Sequence, residues 1–212
     1  MVALPPGTRE TNITRLIAPR PIALISTVST DGAVNAAPFS FFTPVRYSPP
    51  TLCFSIGTKK HSSQHGYQPG LTEESPDLPK DTWRNLCDTN DFVMNFVSAD
   101  LLEAVIVTNK RWPYGVDEIA KSGLGVEAST KIKAPRIREA KLALECVVAK
   151  TVDLGGQIVV FGDVVQVHAD PQILDEDGKV NCLKADPLMH CFEDLFVKMG
   201  DSIRRTLDRY NF

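Results

Sequence analysis

Residues 20–45 constrain this chain most. Ile22-Ala23-Leu24-Ile25 is an apolar, partly β-branched run, and Thr27-Val28 continues the strand character. Asp31-Gly32 follows as a tight turn, because Gly accepts a positive φ and Asp tolerates one. The return strand is expected to begin near Ala33. Its sequence then becomes unusual. Asn35, Ala36, Ala37, Pro38 and Ser40 are small, polar or without a backbone donor, yet they lie between apolar segments. An ordinary buried strand uses Val, Ile or Leu there. Small residues let another body approach the backbone closely, and the body expected here is a flat ligand.

The chain of 212 residues is read as one domain, 1–212, with an N-terminal arm over 1–16 and a C-terminal extension from about 186 to 212. Hydrophobic content of 43% and charged content of 23% allow a sizeable core. A net charge of −3 leaves no basic excess to neutralise phosphates, so no nucleic-acid partner is expected. No apolar run approaches the ~20 residues needed to span a bilayer, so no membrane partner is expected either. The first residues, Met1 to Gly7, lack the charge and apolar run of a signal peptide. With 5 irregularly spaced cysteines, this favours reduced thiols and a cytoplasmic location.

Further along, Thr51 to Ile56 reads as a third strand and Gly57 to Pro79 as a long polar loop. Lys80 to Cys87 reads as a short helix capped by Asp81 or Thr82, with Trp83, Leu86 and Cys87 facing inward. Phe92 to Val97 is a strand. Ser98 is placed as the cap of a helix over 99–107 that buries Leu101, Leu102, Val105 and Ile106. Asp117 to Lys121 is a helical turn closed by Gly123. Ala143 to Ala149 and Ile158 to Val167 are strands, with turns at Gly155-Gly156 and over Asp175 to Gly178. Residues 188–212 resist placement. Several strands with a few short helices point to a closed or partly closed antiparallel β-barrel.

No Gly-x-Gly-x-x-Gly after a strand, no Gly-Lys-Ser/Thr loop and no Gly-x-Ser-x-Gly elbow is present, which disfavours Rossmann, P-loop and α/β-hydrolase chemistry. His61 and His65 have the i, i+4 spacing of a metal pair, but loop-like neighbours favour a solvated segment. Asp175 to Gly178 lacks the spacing of a calcium loop. His190-Cys191 with Cys182 is weak, so no metal is assigned. Lys80-Asp81-Thr82 is stronger. A helix start offers N–H groups and partial positive charge to a phosphate, with Lys80 adding charge and Thr82 a hydroxyl. Asp81 fits a sugar hydroxyl or a cap better than a phosphate. A small-residue strand edge and a phosphate-binding helix start are the two parts that FMN needs.

Four segments then resemble one family: Ala18 to Thr27, Asn35 to Phe42, Lys80 to Leu86, and Pro113 to Glu118, followed by Ala143 to Cys146 and Phe161 to Val164. Together they resemble the flavin reductase-like FMN-binding split barrels, flavoredoxin-type branch, over about residues 13–185. The resemblance implies a mainly β fold, a six-stranded antiparallel Greek-key split β-barrel with a few short helices, assembled as a homodimer. It implies that Asn35, Ala36, Ala37, Pro38, Ser40 and Phe41 line the flavin ring of FMN, and that Arg20 and Pro21 lie beside it. Lys80, Asp81 and Thr82 would take the phosphate or ribityl chain. Related reductases often carry His near the 155–156 turn, where this chain has Gln157. The activity implied is transfer of a hydride from NAD(P)H to the flavin, and of electrons onward to a small-molecule or protein acceptor. No side chain is assigned as acid, base or nucleophile, since the flavin carries the chemistry. The alternatives are an FMN-binding electron carrier served by a protein partner, or a barrel that binds no flavin.

Overall fold

A computed structural model describes residues 3–8, 11–57, 80–110, 112 and 116–202. The loop expected over 58–79, with His61 and His65, lies outside these residues, as do Pro113, Tyr114, Gly115 and the last ten positions. After a helical turn, α1 (Ile13–Leu16), the chain enters β1 (Arg20–Pro21) and β2 (Ala23–Val28). The expected hairpin forms. β3 (Val34–Phe39) runs antiparallel to β2, from Ala23 opposite Phe39 to Val28 opposite Val34. Gly32 turns the corner with φ +90°, a conformation that a side chain would strain.

Two residues later comes β4 (Phe42–Arg46), which the sequence reading did not separate; it pairs with β5 (Thr51–Gly57). Next come α2 (Asp81–Thr89), β6 (Asp91–Phe96), a 3-10 turn over Ala99–Leu101, α3 (Leu102–Thr108) and α4 (Glu118–Lys121). The small pair β7 (Val126–Glu127) and β8 (Arg136–Ile137) precedes the long strands β9 (Leu142–Asp153) and β10 (Gln157–Ala169). α5 (Cys182–Ala185), β11 (Met189–Phe192) and β12 (Leu195–Val197) complete the described chain.

The main sheet has seven segments in the order β3-β2-β6-β9-β10-β5-β4. Its two outer segments, β3 and β4, are separated by only Ser40 and Phe41. Three Cα–Cα steps cover ~11 Å at most, whereas seven strands laid flat would be ~29 Å across. The sheet must therefore curl until its edges meet. Counted this way, β3 and β4 are one bent strand, paired first with β2 and then with β5. The six-stranded antiparallel barrel expected from the sequence is the architecture found, with one stave recorded in two pieces.

β2 is buried on both faces, which is why Ala23-Leu24-Ile25 is a continuous apolar run; Ser26 and Thr27, also buried, hydrogen-bond to neighbouring groups. Ala23 and Ile25 point into the barrel with Phe39, Phe54, Ile56, Phe92, Met94 and Val160. Phe54 stands edge-on to Phe39 and Phe92, with ring centroids 5.2 and 5.0 Å apart. Gly162 is required here, since a Cβ would lie 2.5 Å from Phe92 Cζ. Ile22 and Leu24 point outward into a second apolar layer with Ala36, Val97, Val105, Ile119, Ile137 and Leu188. α2 lies across the barrel on the inner side, with Leu86 buried among the inner residues and Trp83 packed against them.

Several local expectations change. Lys80, not Asp81 or Thr82, is the N-cap of α2, and it makes no side-chain capping bond. Cys87 faces solvent, and Asn85 takes the inward position. Three to four residues per turn place Thr82, Asn85 and Leu86 on one face, and Cys87 falls outside it. Ser98 occupies a cap position, but its buried hydroxyl has no partner. Ile106 is exposed, because α3 turns Ala104, Val105 and Thr108 inward. The C-terminal segment is woven into the fold. Leu188 is buried, its amide donates to Val97 O, and its carbonyl accepts from Ile22 N. β11 then pairs with β1 and β12. All five cysteines are free. No helix among the described residues is long and apolar enough to cross a membrane.

Candidate functional site

Pro38 fixes the geometry of β3. It lies opposite Leu24 and has no N–H to give, so its backbone edge faces away from β2. Strand alternation then turns the backbone edges of Val34 and Ala36 outward as well. Side chains alternate in step. Asn35, Ala37 and Phe39 face the barrel and α2, whereas Val34 and Ala36 face the layer built by α3 and α4.

The small residues therefore serve different neighbours. Ala36 is fully buried in the outer layer with Val105 and Ile119, so its methyl is covered by protein. Ala37 is half-buried against the barrel interior. Asn35 is buried and donates from Nδ2 to Thr82 Oγ1 at 3.0 Å, with Thr27 Oγ1 at 3.4 Å. Asn85 Nδ2 reaches the same Thr27 oxygen at 3.0 Å. These four polar side chains join α2 to the strands beneath it. Thr82 is only 2% exposed, so its hydroxyl lies beneath the helix. The accessible part of the predicted set is Pro21 and Phe41, exposed, with Pro38, Ser40, Lys80 and Asp81 half-buried.

Arg20 is 7% exposed and anchors the far end of β3. Its Nη1 donates to the carbonyls of Thr14 and Ile17. Nη2 lies 3.1 Å from His190 Nδ1 and donates to Cys191 O at 3.2 Å. Nε donates to Ser40 Oγ at 3.4 Å, and the guanidinium stands 5.4 Å from the Phe41 ring centroid. All the N–H donors of a guanidinium are thus engaged by the protein itself. Arg20 holds the Ser40–Phe41 junction in place, joined to the N-terminal turn and to β11.

At the other end, the first backbone bond within α2 runs from Arg84 N to Lys80 O. The amides ahead of it point out of the helix start, where an anion is favoured. From Asn35, beside this helix start, to Phe41 the strand spans ~20 Å. One strand thus connects the helix start with the Arg20 cluster.

Sequence reasoning missed Glu118, the first residue of α4. It is 7% exposed, and its Oε2 is buried without a hydrogen-bond partner. Burial pushes its carboxyl up to about 7. The charges of Asp81 and Asp117 contribute to that rise, and the amides of Glu118 and Ala36 oppose it. The Glu118 carboxyl thus meets the outward edge of β3 at the Ala36 amide and feels the charge of Asp81 at the start of α2. The only trace in the sequence was its place at the end of the Pro113-to-Glu118 segment. Among the described residues, no group of three His, Cys, Asp or Glu could hold a metal.

A closed six-stave barrel, one bent stave, and a helix start set beside the outward edge of that stave define the split-barrel class. The chain belongs to the flavin reductase-like domain family, whose model matches residues 15–196. It is 37% identical over 183 residues to an uncharacterized protein of Aquifex aeolicus, covering 86% of each chain. Among solved structures it is similar to nitrilotriacetate monooxygenase component B from Bacillus cereus, with TM-score 0.80 and 25% identity over 96% of this chain and 98% of that one. It shares its fold with the flavoredoxin of Desulfovibrio vulgaris, with TM-score 0.74 and 17% identity, covering 96% and 97% of the two chains. Family membership places the chain among flavin-related oxidoreductases.

Proposed function

We propose that the chain binds FMN and works as an NAD(P)H-dependent oxidoreductase, as a homodimer, passing electrons to a small-molecule or protein acceptor. The observation that carries this reading is the accessible end of β3, Pro38 with Ser40 and Phe41 after it, on the strand that connects the Arg20 cluster to the start of α2 in a chain of this family. The residues present suit the group. Pro38 offers a flat surface without a competing donor, beside Ser40, Phe41 and Pro21. Lys80, Asp81 and the leading amides of α2 suit the phosphate and ribityl chain. Arg20, Asn35, Ala36, Ala37 and Thr82 act one layer behind and set the shape of that edge. When bound, FMN supplies the capacity to accept a hydride and release electrons. Because the Arg20 donors are engaged, the negative edge of the reduced ring falls to backbone N–H groups.

The purified protein, mixed with FMN, is expected to quench flavin fluorescence, and the loaded protein to bleach anaerobically with NADH or NADPH. Lys80→Ala should weaken FMN binding by about 1.5–3 kcal/mol, the usual loss for a charged hydrogen bond. Loaded protein that neither nucleotide bleaches would instead be an electron carrier. No affinity for FMN would leave a barrel without flavin.

A further inference from the structure

Glu118 poses a physical problem that the fold alone does not solve. A carboxyl this deeply buried is costly when charged, unless it is paired or fully hydrogen-bonded. Here one oxygen has no hydrogen-bond partner among the described residues. Among the described residues, the charged groups that act on the carboxyl are Asp81, from α2, and Asp117, its own neighbour, and both are negative. The remaining charges on these elements are Lys80, the cap of the helix that carries Asp81, Arg84, half-buried, and Asp88, exposed, further along that helix, and Lys121, exposed at the last position of α4. β3 brings no titratable side chain to this place, only the Ala36 amide. α3 turns Ala104, Val105 and Thr108 inward, and the Thr108 hydroxyl is already given to Ala104 O at 2.9 Å.

A neutral carboxylic acid removes the cost, and it changes what the group can do. An ionised carboxylate only accepts hydrogen bonds, whereas the acid also donates one. A donor at this place, on the strand edge and within electrostatic reach of the helix start, can face phosphate oxygens or a sugar hydroxyl. A bound phosphate adds negative charge beside Asp81 and Glu118, which favours the acid further.

We propose that Glu118 is a positioning residue of the FMN site and engages the nucleotide as the neutral acid, so that the anionic tail and one proton enter the site together. This rests on the FMN reading above. The flavin phosphate has its own second ionisation near pH ~6, so the informative window lies above it.

FMN affinity measured by fluorescence quenching is expected to weaken about tenfold from pH 7 to 8.5 in the wild-type protein, the effect of one linked proton. Glu118→Gln keeps the shape and a donor but cannot ionise. It should bind FMN as tightly as wild type at pH 7 and lose no more than about twofold at pH 8.5. Riboflavin, which lacks the phosphate, should show a shallower pH dependence in the wild-type protein. Calorimetry of the wild-type protein at pH 8, in two buffers of different ionisation enthalpy, should record close to one proton taken up per FMN; this needs no variant to fold. Equal pH dependence in wild type and Glu118→Gln, equal dependence for riboflavin and FMN, or no proton uptake would overturn the proposal while leaving FMN binding intact. No FMN binding by the wild-type protein at any pH would overturn both readings.

Discussion

Asn35 and Thr82 are 47 positions apart, yet their side chains meet at 3.0 Å with both residues nearly out of solvent. The sequence made each noticeable for its own reason, one as a polar residue in a strand, the other as a hydroxyl at a helix start. What a single sequence does not carry is that each answers the other. Thr82→Val, nearly the same shape without the hydroxyl, should cost about 1–3 kcal/mol by leaving Asn35 Nδ2 with only the longer Thr27 contact. Urea unfolding measures this directly. An unchanged midpoint would mean that the Asn35–Thr82 bond does not hold α2 down. Ala36 teaches the same lesson in reverse. A bare residue was legible; whether ligand or helix covers it was not, because both require the same absence of bulk.

At the level of elements, periodicity and turn chemistry went far. The first hairpin, β5, α2, β6, α4 and the β9–β10 hairpin all lie close to where the residue pattern put them. β4 was lost because Pro44 interrupts it and all but one of its residues are exposed, so it lacks the alternation that marks a half-buried strand. The segment over 128–137 had no pattern either, since side chains from neighbouring strands hold it. Asp91 accepts from the amides of Lys133 and Ala134, and Asn95 from that of Ile137. Glu145, fully buried, accepts from the amides of Thr130 and Lys131 at 2.7 Å each, and lies 2.6 Å from His168 Nε2. Burial pushes the Glu145 carboxyl up, but these hydrogen bonds outweigh it and hold it below the usual range. A depressed carboxyl contributes stability that is present above its unfolded value, near pH ~4.3, and is lost as pH falls towards the folded value. Amide hydrogen exchange at Thr130 and Lys131 should therefore accelerate, relative to the barrel strands, once pH drops below about 4. Exchange that tracks the barrel at every pH would refute this.

At the scale of the whole molecule, composition and strand count pointed to a barrel, but the way it closes could not be read from them. Closure depends on two residues, Ser40 and Phe41, joining segments that lie at opposite ends of the strand order. From that junction onward the chain presents Phe41, Val45 and Tyr47, 41%, 47% and 101% exposed, within seven positions. Three apolar side chains this open on one short segment invite a partner surface. Sedimentation of the wild-type protein should give twice the chain mass, and Val45→Asp with Tyr47→Asp should shift it to the mass of one chain. A wild-type protein that sediments as a single chain would end the proposed pairing.

The Arg20 cluster also sets an order of events during synthesis. Ribosomes deliver the N-terminal residues first, so the opening strands can meet while the rest of the chain is still being made. Arg20, however, reaches forward to His190 and Cys191. Its clasp on the barrel seam must wait until residues 190 and 191 have been made, and a nascent chain stalled earlier would carry a guanidinium lacking two of its five hydrogen-bond partners.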